Sequence, residues 1–131
     1  MKIFICLDDN SGMMFNGRRQ SRDAFVVRDI ISSIGESVLN IDKYSQVLFK
    51  AFEHKINVVD SFDNGFCFIE NKDVTPYLKD AKKLVIYKWN RKYPSDMRFT
   101  ADFSAFGFSL YEVNEFKGRS HDIITKETYV K

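Results

Sequence analysis

The stretch IFICL at residues 3–7 places five apolar side chains in a row and ends abruptly at Asp8-Asp9-Asn10-Ser11-Gly12. A strand with one wet face alternates apolar and polar residues; one that is apolar throughout has both faces covered, as at the buried centre of a sheet. The run is too short for a signal h-region or a membrane span, and no small-residue cleavage site follows it. The rest of the chain therefore has to supply packing layers for both faces of this strand.

It does so by alternating helical and extended patterns. After a loop through Asn16-Gly17, Ser21 offers a side-chain oxygen to cap a helix. Val27, Ile30, Ile31 and Ile34 then repeat at helical spacing, and Gly35 supplies the stop. Residues 37–41 (SVLNI) read as a strand, and Tyr44, Val47, Leu48, Ala51 and Phe52 form a second helical stripe. Residues 56–60 and 66–69 are short strands, Thr75-Pro76 opens a short helix to about Ala81, and residues 84–89 (LVIYKW) form another strand. The last third has no helical period; residues 107–114 and 123–130 read as two strands, the second alternating as ITKETYV. This order predicts one α/β domain over residues 1–131, with a mostly parallel central sheet flanked by helices and an antiparallel strand pair at the C-terminal end. No repeat, linker or low-complexity tract divides it, and thirteen Phe and six Tyr supply ample core material.

The net charge of +2 is too small to argue for nucleic acid. The distribution is less even, with Arg18, Arg19, Arg22 and Arg28 in one zone and seven Lys or Arg residues between Lys79 and Arg98 in another. Cys6 and Cys67 both lie in apolar runs, with no CxxC, which reads as two reduced thiols in a cytoplasmic protein. No set of residues has metal-ligand spacing.

The opening IFICLDDNSGMMFNG, the helix start QSRDAFVVRDI, the stretch YPSDMRFTADF and the strand FSLYEVNEF together resemble dihydrofolate reductase over most of the chain. The resemblance implies that family's fold, with Asp23 at the position of its substrate-binding carboxylate and with Asp96 and Phe99 on its GDTxFP stretch. The chain is also similar to small bacterial proteins that bear the label ribonuclease Z. That activity needs an HxHxDH metal motif, and with only His54 and His121, far apart in sequence, the chain lacks it.

The cofactor-binding residues implied by the reductase resemblance are altered. A Gly followed by Arg or Lys, pairing with the cofactor's phosphate, corresponds here to Asn40-Ile41-Asp42-Lys43, and a Gly-Gly pair corresponds to Glu70-Asn71. Glycine lets backbone approach a diphosphate closely. A carboxylate there repels it by roughly 1–4 kcal/mol at 4 Å, depending on the effective dielectric. The expectation is a fold that has outlived NADPH binding and carries no cofactor.

Residues with remaining chemistry cluster near one helix start. Asp23, at the second or third helical position, suits the positive end of the dipole; alternatively it binds an amino or amidine-like group. Asn16, Arg18, Arg19, Ser21 and Arg22 lead into that helix N-terminus, a place suited to anions; the plain alternative is a solvated loop with Arg19 or Arg22 paired to Asp8 or Asp9. His121, in the run Ser120-His121-Asp122, is a general acid–base candidate if a pocket surrounds it, although neighbours on a strand point to opposite faces and make no triad; the plain alternative is a turn histidine with ordinary hydrogen bonds. His54, at a helix end, is a welcome cation there. Lys88-Trp89-Asn90-Arg91-Lys92-Tyr93 interleaves bases and aromatics as a nucleobase platform does, or else buries Trp89 against a helix with the cations outside. The reading is a domain that binds an anionic small molecule or nucleotide over loop 16–23, with Asp23 and His121 as the candidates for any catalysis. Two alternatives stay open: a non-catalytic module for an acidic protein or nucleic acid, and an NADPH-dependent reductase with an altered cofactor mode.

Overall fold

A computed structural model describes residues 1–131. Seven strands form the main sheet, in the spatial order Ile56–Val58 (β5), Leu39–Ile41 (β4), Phe66–Phe68 (β6), Lys2–Leu7 (β1), Lys83–Lys88 (β7), Ile124–Val130 (β10) and Ser109–Phe116 (β9). The apolar run thus lies at the middle of the sheet, fourth of seven. The strands from β5 to β7 run parallel, and β10 and β9 close the sheet antiparallel.

Two separate cores explain why β1 has no polar alternation. Successive side chains of a strand point to opposite faces. Phe4 joins Leu39, Phe68, Val85 and Tyr87 under Val26, Ile30 and Ile31 of the single α-helix, α1 (Ala24–Ser33). Ile3, Ile5 and Leu7 face the other way, onto Met13, Phe62, Leu78, Phe99 and Phe108. Both layers are dry: Ile3 and Ile5 are fully buried and Phe4 is 2% exposed.

The helical stripes after α1 come out differently. Residues 43–55 form a 3-10 helix in which Phe49 and Phe52 leave helical dihedrals. Aromatic and Ser side chains hold an α-helix weakly, and seating Phe49 in the core, at 1% exposure, prevails over the expected α-helical stripe. The helix expected from Thr75 to Ala81 is one turn, Thr75–Tyr77; Leu78 and Ala81 fold back into the core instead. A further 3-10 turn, Phe103–Phe106, interrupts the last third.

The segment read as a loop after β1 is a small sheet. Gly12–Phe15 (β2) pairs with Arg18–Arg19 (β3) on one side and Met97–Arg98 (β8) on the other. Asn16 and Gly17 connect β2 to β3 with φ of 52° and 71°, the positive dihedrals that a two-residue hairpin of primed type needs and that Asn-Gly supplies. This hairpin projects Arg18 and Arg19 over the C-terminal edge of the main sheet.

Truncating the doubly covered strand has a predictable cost. Ile5→Ala is expected to lower unfolding free energy by about 2–5 kcal/mol, read as a lower urea midpoint at unchanged slope.

Candidate functional site

In open α/β sheets, ligands bind beyond the carboxyl ends of the parallel strands. Here those ends present Asp8 after β1, Asp42 after β4, Glu70 after β6 and Trp89 after β7. Each of the three carboxylates already has internal partners. Asp8 accepts from the backbone N–H groups of Asn10, Gly12 and Tyr93 and from Gln20 Nε2. Asp42 caps the 43–55 helix through Tyr44 N and pairs with Lys72 at 3.3 Å. Glu70, 7% exposed, takes both Nε and Nη2 of Arg19 at 3.1 and 2.9 Å and the Ser45 hydroxyl at 2.6 Å.

Asp23 is a fourth acceptor hub and the most completely buried. It is the N-cap of α1, bonded to its own helix at Phe25 N (2.9 Å). It also accepts from Arg119 N (2.9 Å), Ser120 N (2.8 Å) and His121 Nδ1 (2.9 Å) in the connection between β9 and β10. Burial alone would raise its pKa; the His121 bond and the three backbone N–H groups outweigh that and hold the carboxyl below its ordinary value. An ionised carboxylate only accepts, so Nδ1 of His121 carries a proton, and in the neutral form of the ring Nε2 is the acceptor. Nε2 stands 3.0 Å from Ser21 Oγ and 3.2 Å from the Tyr93 hydroxyl, which itself donates to Ser21 Oγ at 3.3 Å. Trp89 stacks on the imidazole with centroids 4.7 Å apart and fixes its plane. Gly118 makes room for the pair: a Cβ there would meet Asp23 Oδ2 at 2.7 Å and the His121 carbonyl at 2.8 Å.

Above this buried line the surface is basic. Arg18, Arg19, Ser21, Arg22 and Tyr44 line an open cleft of about 480 Å³, and Arg22, Arg119 and Ser120 continue into a neighbouring one of about 320 Å³. The five salt bridges involve neither Arg18 nor Arg22. Beneath them, between α1 and the sheet, an apolar cavity walled by Val26, Ile30, Phe49, Phe68 and Trp89 encloses only about 20 Å³. That is room for a water, not for an organic ligand. No cluster of three His, Cys, Asp or Glu side chains that could hold a metal ion forms, and no helix is long and apolar enough to cross a membrane.

Several expectations drawn from the sequence need correction. Asp23, not Ser21, caps α1, so it lies outside the helix rather than at its second or third position. Arg19 pairs with Glu70 rather than with Asp8 or Asp9; those two acids sit in a turn whose backbone already occupies Asp8. The α1 N-terminus is not open to an external anion along the whole loop, because Asp23 fills it. Both Asp23 oxygens are taken by protein donors, which leaves none free for an amino group of a ligand. Asn16 sits at the exposed hairpin tip, its N–H on Asp96 Oδ2, apart from Ser21, Asp23 and His121, which the fold joins. Ser120-His121-Asp122 lies in the turn between β9 and β10, in keeping with the reading of His121 as a turn histidine, and Ser120 serves through its backbone N–H. Trp89 is buried as the second alternative had it, with Lys88 outside on Glu127. Tyr93 was legible only within a basic–aromatic run; no local signal ties it to Ser21, 72 residues away.

No family profile and no curated protein matches the sequence. The architecture nevertheless has a clear likeness among solved structures. Dihydrofolate reductase from Enterococcus faecalis, complexed with NADP(H) and RAB-propyl, superposes with a TM-score of 0.69 over 98% of this chain and 94% of that one, at 9% identity. The chain therefore has the dihydrofolate reductase-like fold, a scaffold of the reductase type. At that identity the likeness extends to fold and no further.

Two measurements probe the buried line. Gly118→Ala is expected to destabilise the protein, by an amount in the roughly 1–3 kcal/mol range of overpacking, and to shift the His121 ring resonances in NMR. The depressed Asp23 pKa contributes stability that is fully present above the unfolded value near 3.9 and is lost as pH falls through the folded value. Asp23→Asn should thus lower the melting temperature most at about pH 6–7, with the difference from wild type shrinking below about pH 4; a pH-independent difference would contradict this assignment.

Proposed function

We propose that this domain binds an anionic small molecule, carrying a phosphate or carboxylate as a nucleotide does, in the open cleft over Arg18, Ser21 and Arg22, and that it does not use NADPH. The observation that carries the reading is the pair of guanidinium groups at Arg18 and Arg22, which border one cleft and have no carboxylate partner, while Asp23, Asp42 and Glu70 are already engaged. Arg19, locked on Glu70 and over the Tyr44 ring at 4.6 Å, serves to hold the wall of the cleft. Guanidinium groups suit the purpose because their planar donors match oxyanions in a two-pronged fashion.

A dinucleotide's diphosphate does not fit the residues present. It would lie where Ile41-Asp42 and Glu70-Asn71 end their strands. Glu70 is held there, buried, by Arg19 and Ser45, and Asp42 is held by Tyr44 N and Lys72. Seating a diphosphate would break both arrangements and set like charges together, at roughly 1–4 kcal/mol for each close pair. The small cavity under α1, with room of only about 20 Å³, likewise favours a ligand that rests on the open face.

The test is thermal stability in pyrophosphate, AMP and citrate, alongside a reductase assay. At tenfold excess over Kd a bound anion contributes about 1.4 kcal/mol, a rise of about 3–6 °C for a domain of this size. Arg18→Ala combined with Arg22→Ala should abolish the rise. Absence of any rise, or dihydrofolate-dependent loss of NADPH absorbance, would sink the reading.

A further inference from the structure

Anion binding leaves the buried line beneath the cleft without a task. Asp23, His121 and Ser21 stand in sequence at 2.9 and 3.0 Å. The acid is ionised and the imidazole plane is clamped by Trp89. The hydroxyl is only half-buried, at the margin of the basic cleft. We propose that these residues form a nucleophile relay for acyl transfer, acting on carboxylic esters that bear a negative charge: Ser21 attacks, His121 is the general base, and Asp23 is a positioning residue. The negative charge on the substrate rests on the anion-binding reading above; the relay rests on its own geometry.

Each role follows from a distance. A serine hydroxyl is a weak nucleophile until a base in hydrogen-bond reach takes its proton, and that base works only if a third group fixes its tautomer. Asp23 supplies the third condition. It accepts from Nδ1, keeps the proton there, and is itself fixed by three backbone N–H groups, so Nε2 faces Ser21 as an acceptor. In the first step Ser21 Oγ bonds to the ester carbonyl carbon and its proton passes to Nε2, giving a tetrahedral oxyanion. The carbon–oxygen bond to the alcohol then breaks, and the leaving alkoxide takes that proton. Water repeats the sequence on the acyl-serine, giving its proton to Nε2, and the departing Ser21 Oγ recovers it, releasing the acid. The Tyr93 hydroxyl, 3.3 Å from Ser21 Oγ, is a neutral donor beside the attacking oxygen, and Arg18 and Arg22 hold the substrate's own charge. A purely structural link between α1 and the 117–123 turn would need Asp23 and the backbone N–H groups. It would not need a half-exposed hydroxyl on the far nitrogen of the ring.

A fluorophosphonate probe, which captures activated serines, tests the relay on the full chain, followed by intact mass and peptide mapping. One adduct on Ser21 is expected, none in Ser21→Ala, and capture slowed at least about 100-fold in His121→Gln. Turnover of p-nitrophenyl acetate and p-nitrophenyl hydrogen succinate should both depend on Ser21, with the succinate ester favoured at least about tenfold in kcat/KM, the effect of about 1.4 kcal/mol. Arg18→Ala with Arg22→Ala should bring that ratio towards one. Asp23→Asn should lower kcat by about 10²–10⁴ with KM nearly unchanged, a split that a structural role would not give; where the buried variants fail to fold, Ser21→Ala decides. No adduct on Ser21 and no Ser21-dependent turnover would overturn the relay. Turnover without preference for the anionic ester would overturn the anionic substrate class and leave the relay standing.

Discussion

A carboxylate with almost no exposure to water holds this molecule's two ends together. Asp23 starts α1, and its oxygens collect four donors, three of them from a turn 96 to 98 residues further along the chain. Stranding a charge in a protein interior costs several kcal/mol unless its acceptor sites are filled. The arrangement is therefore close to all-or-none: the turn between β9 and β10 has to present Arg119, Ser120 and His121 together, or α1 loses its cap and the charge is left unpaired. The position of the imidazole, and through it the geometry at Ser21, is a consequence of satisfying Asp23. Asp8 acts in the same way at the end of β1, where it ties down Gly12, Gln20 and Tyr93, so the second hydroxyl near His121 is also set by a buried acid.

The same logic separates scaffold from activity. A parallel sheet with a crevice at its carboxyl edge is suited to nucleotides when glycines and helix N-termini line that edge. In this chain the edge carries Asp8, Asp42 and Glu70, and each is neutralised from within by backbone N–H groups, Lys72 or Arg19. These pairings satisfy the carboxylates at the strand ends with donors from the chain itself. The basic side chains without an ion-pair partner, Arg18, Arg22 and Arg119, lie further out, on the hairpin at 12–19, the loop that follows it and the turn at 117–123.

Much of the architecture was legible because it depends on burial alone. An apolar run with no alternation can only be a central strand, and β1 is one; the alternating elements and the final strand pair follow from period and order. Elements decided by tertiary competition were not legible: the 43–55 segment has an α-helical stripe, yet seating Phe49 in the core tightens it into 3-10 turns. The β2–β3 hairpin had a readable signal in Asn16-Gly17 between GMMF and RR, which alone specifies a two-residue turn. At the site, composition pointed to Ser21, Asp23 and His121 individually. Their joining depends on contacts about 100 residues apart in sequence, beyond the reach of any local pattern.

The stretch from Lys88 to Tyr93 shows how a pattern can be right in its residues and wrong in its direction. Bases interleaved with aromatics describe a surface that stacks nucleobases, but that requires the rings to face solvent. Here β7 leaves the sheet with Trp89 turned inward, 4% exposed, and its stacking partner is the chain's own imidazole. Tyr93 folds back to the same ring through its hydroxyl, while Lys88 goes outward to Glu127 and Arg91 and Lys92 stay in solvent. β7 ends at Lys88 and the chain turns at Asn90, which has a φ of 57°, so a bend and not strand alternation brings both aromatic rings to His121 and leaves Arg91 and Lys92 outside. The aromatic set thus packs on His121, with Trp89 stacked on the ring and the Tyr93 hydroxyl 3.2 Å from its Nε2. A stacking platform for nucleobases needs rings that face solvent, and neither ring here does so.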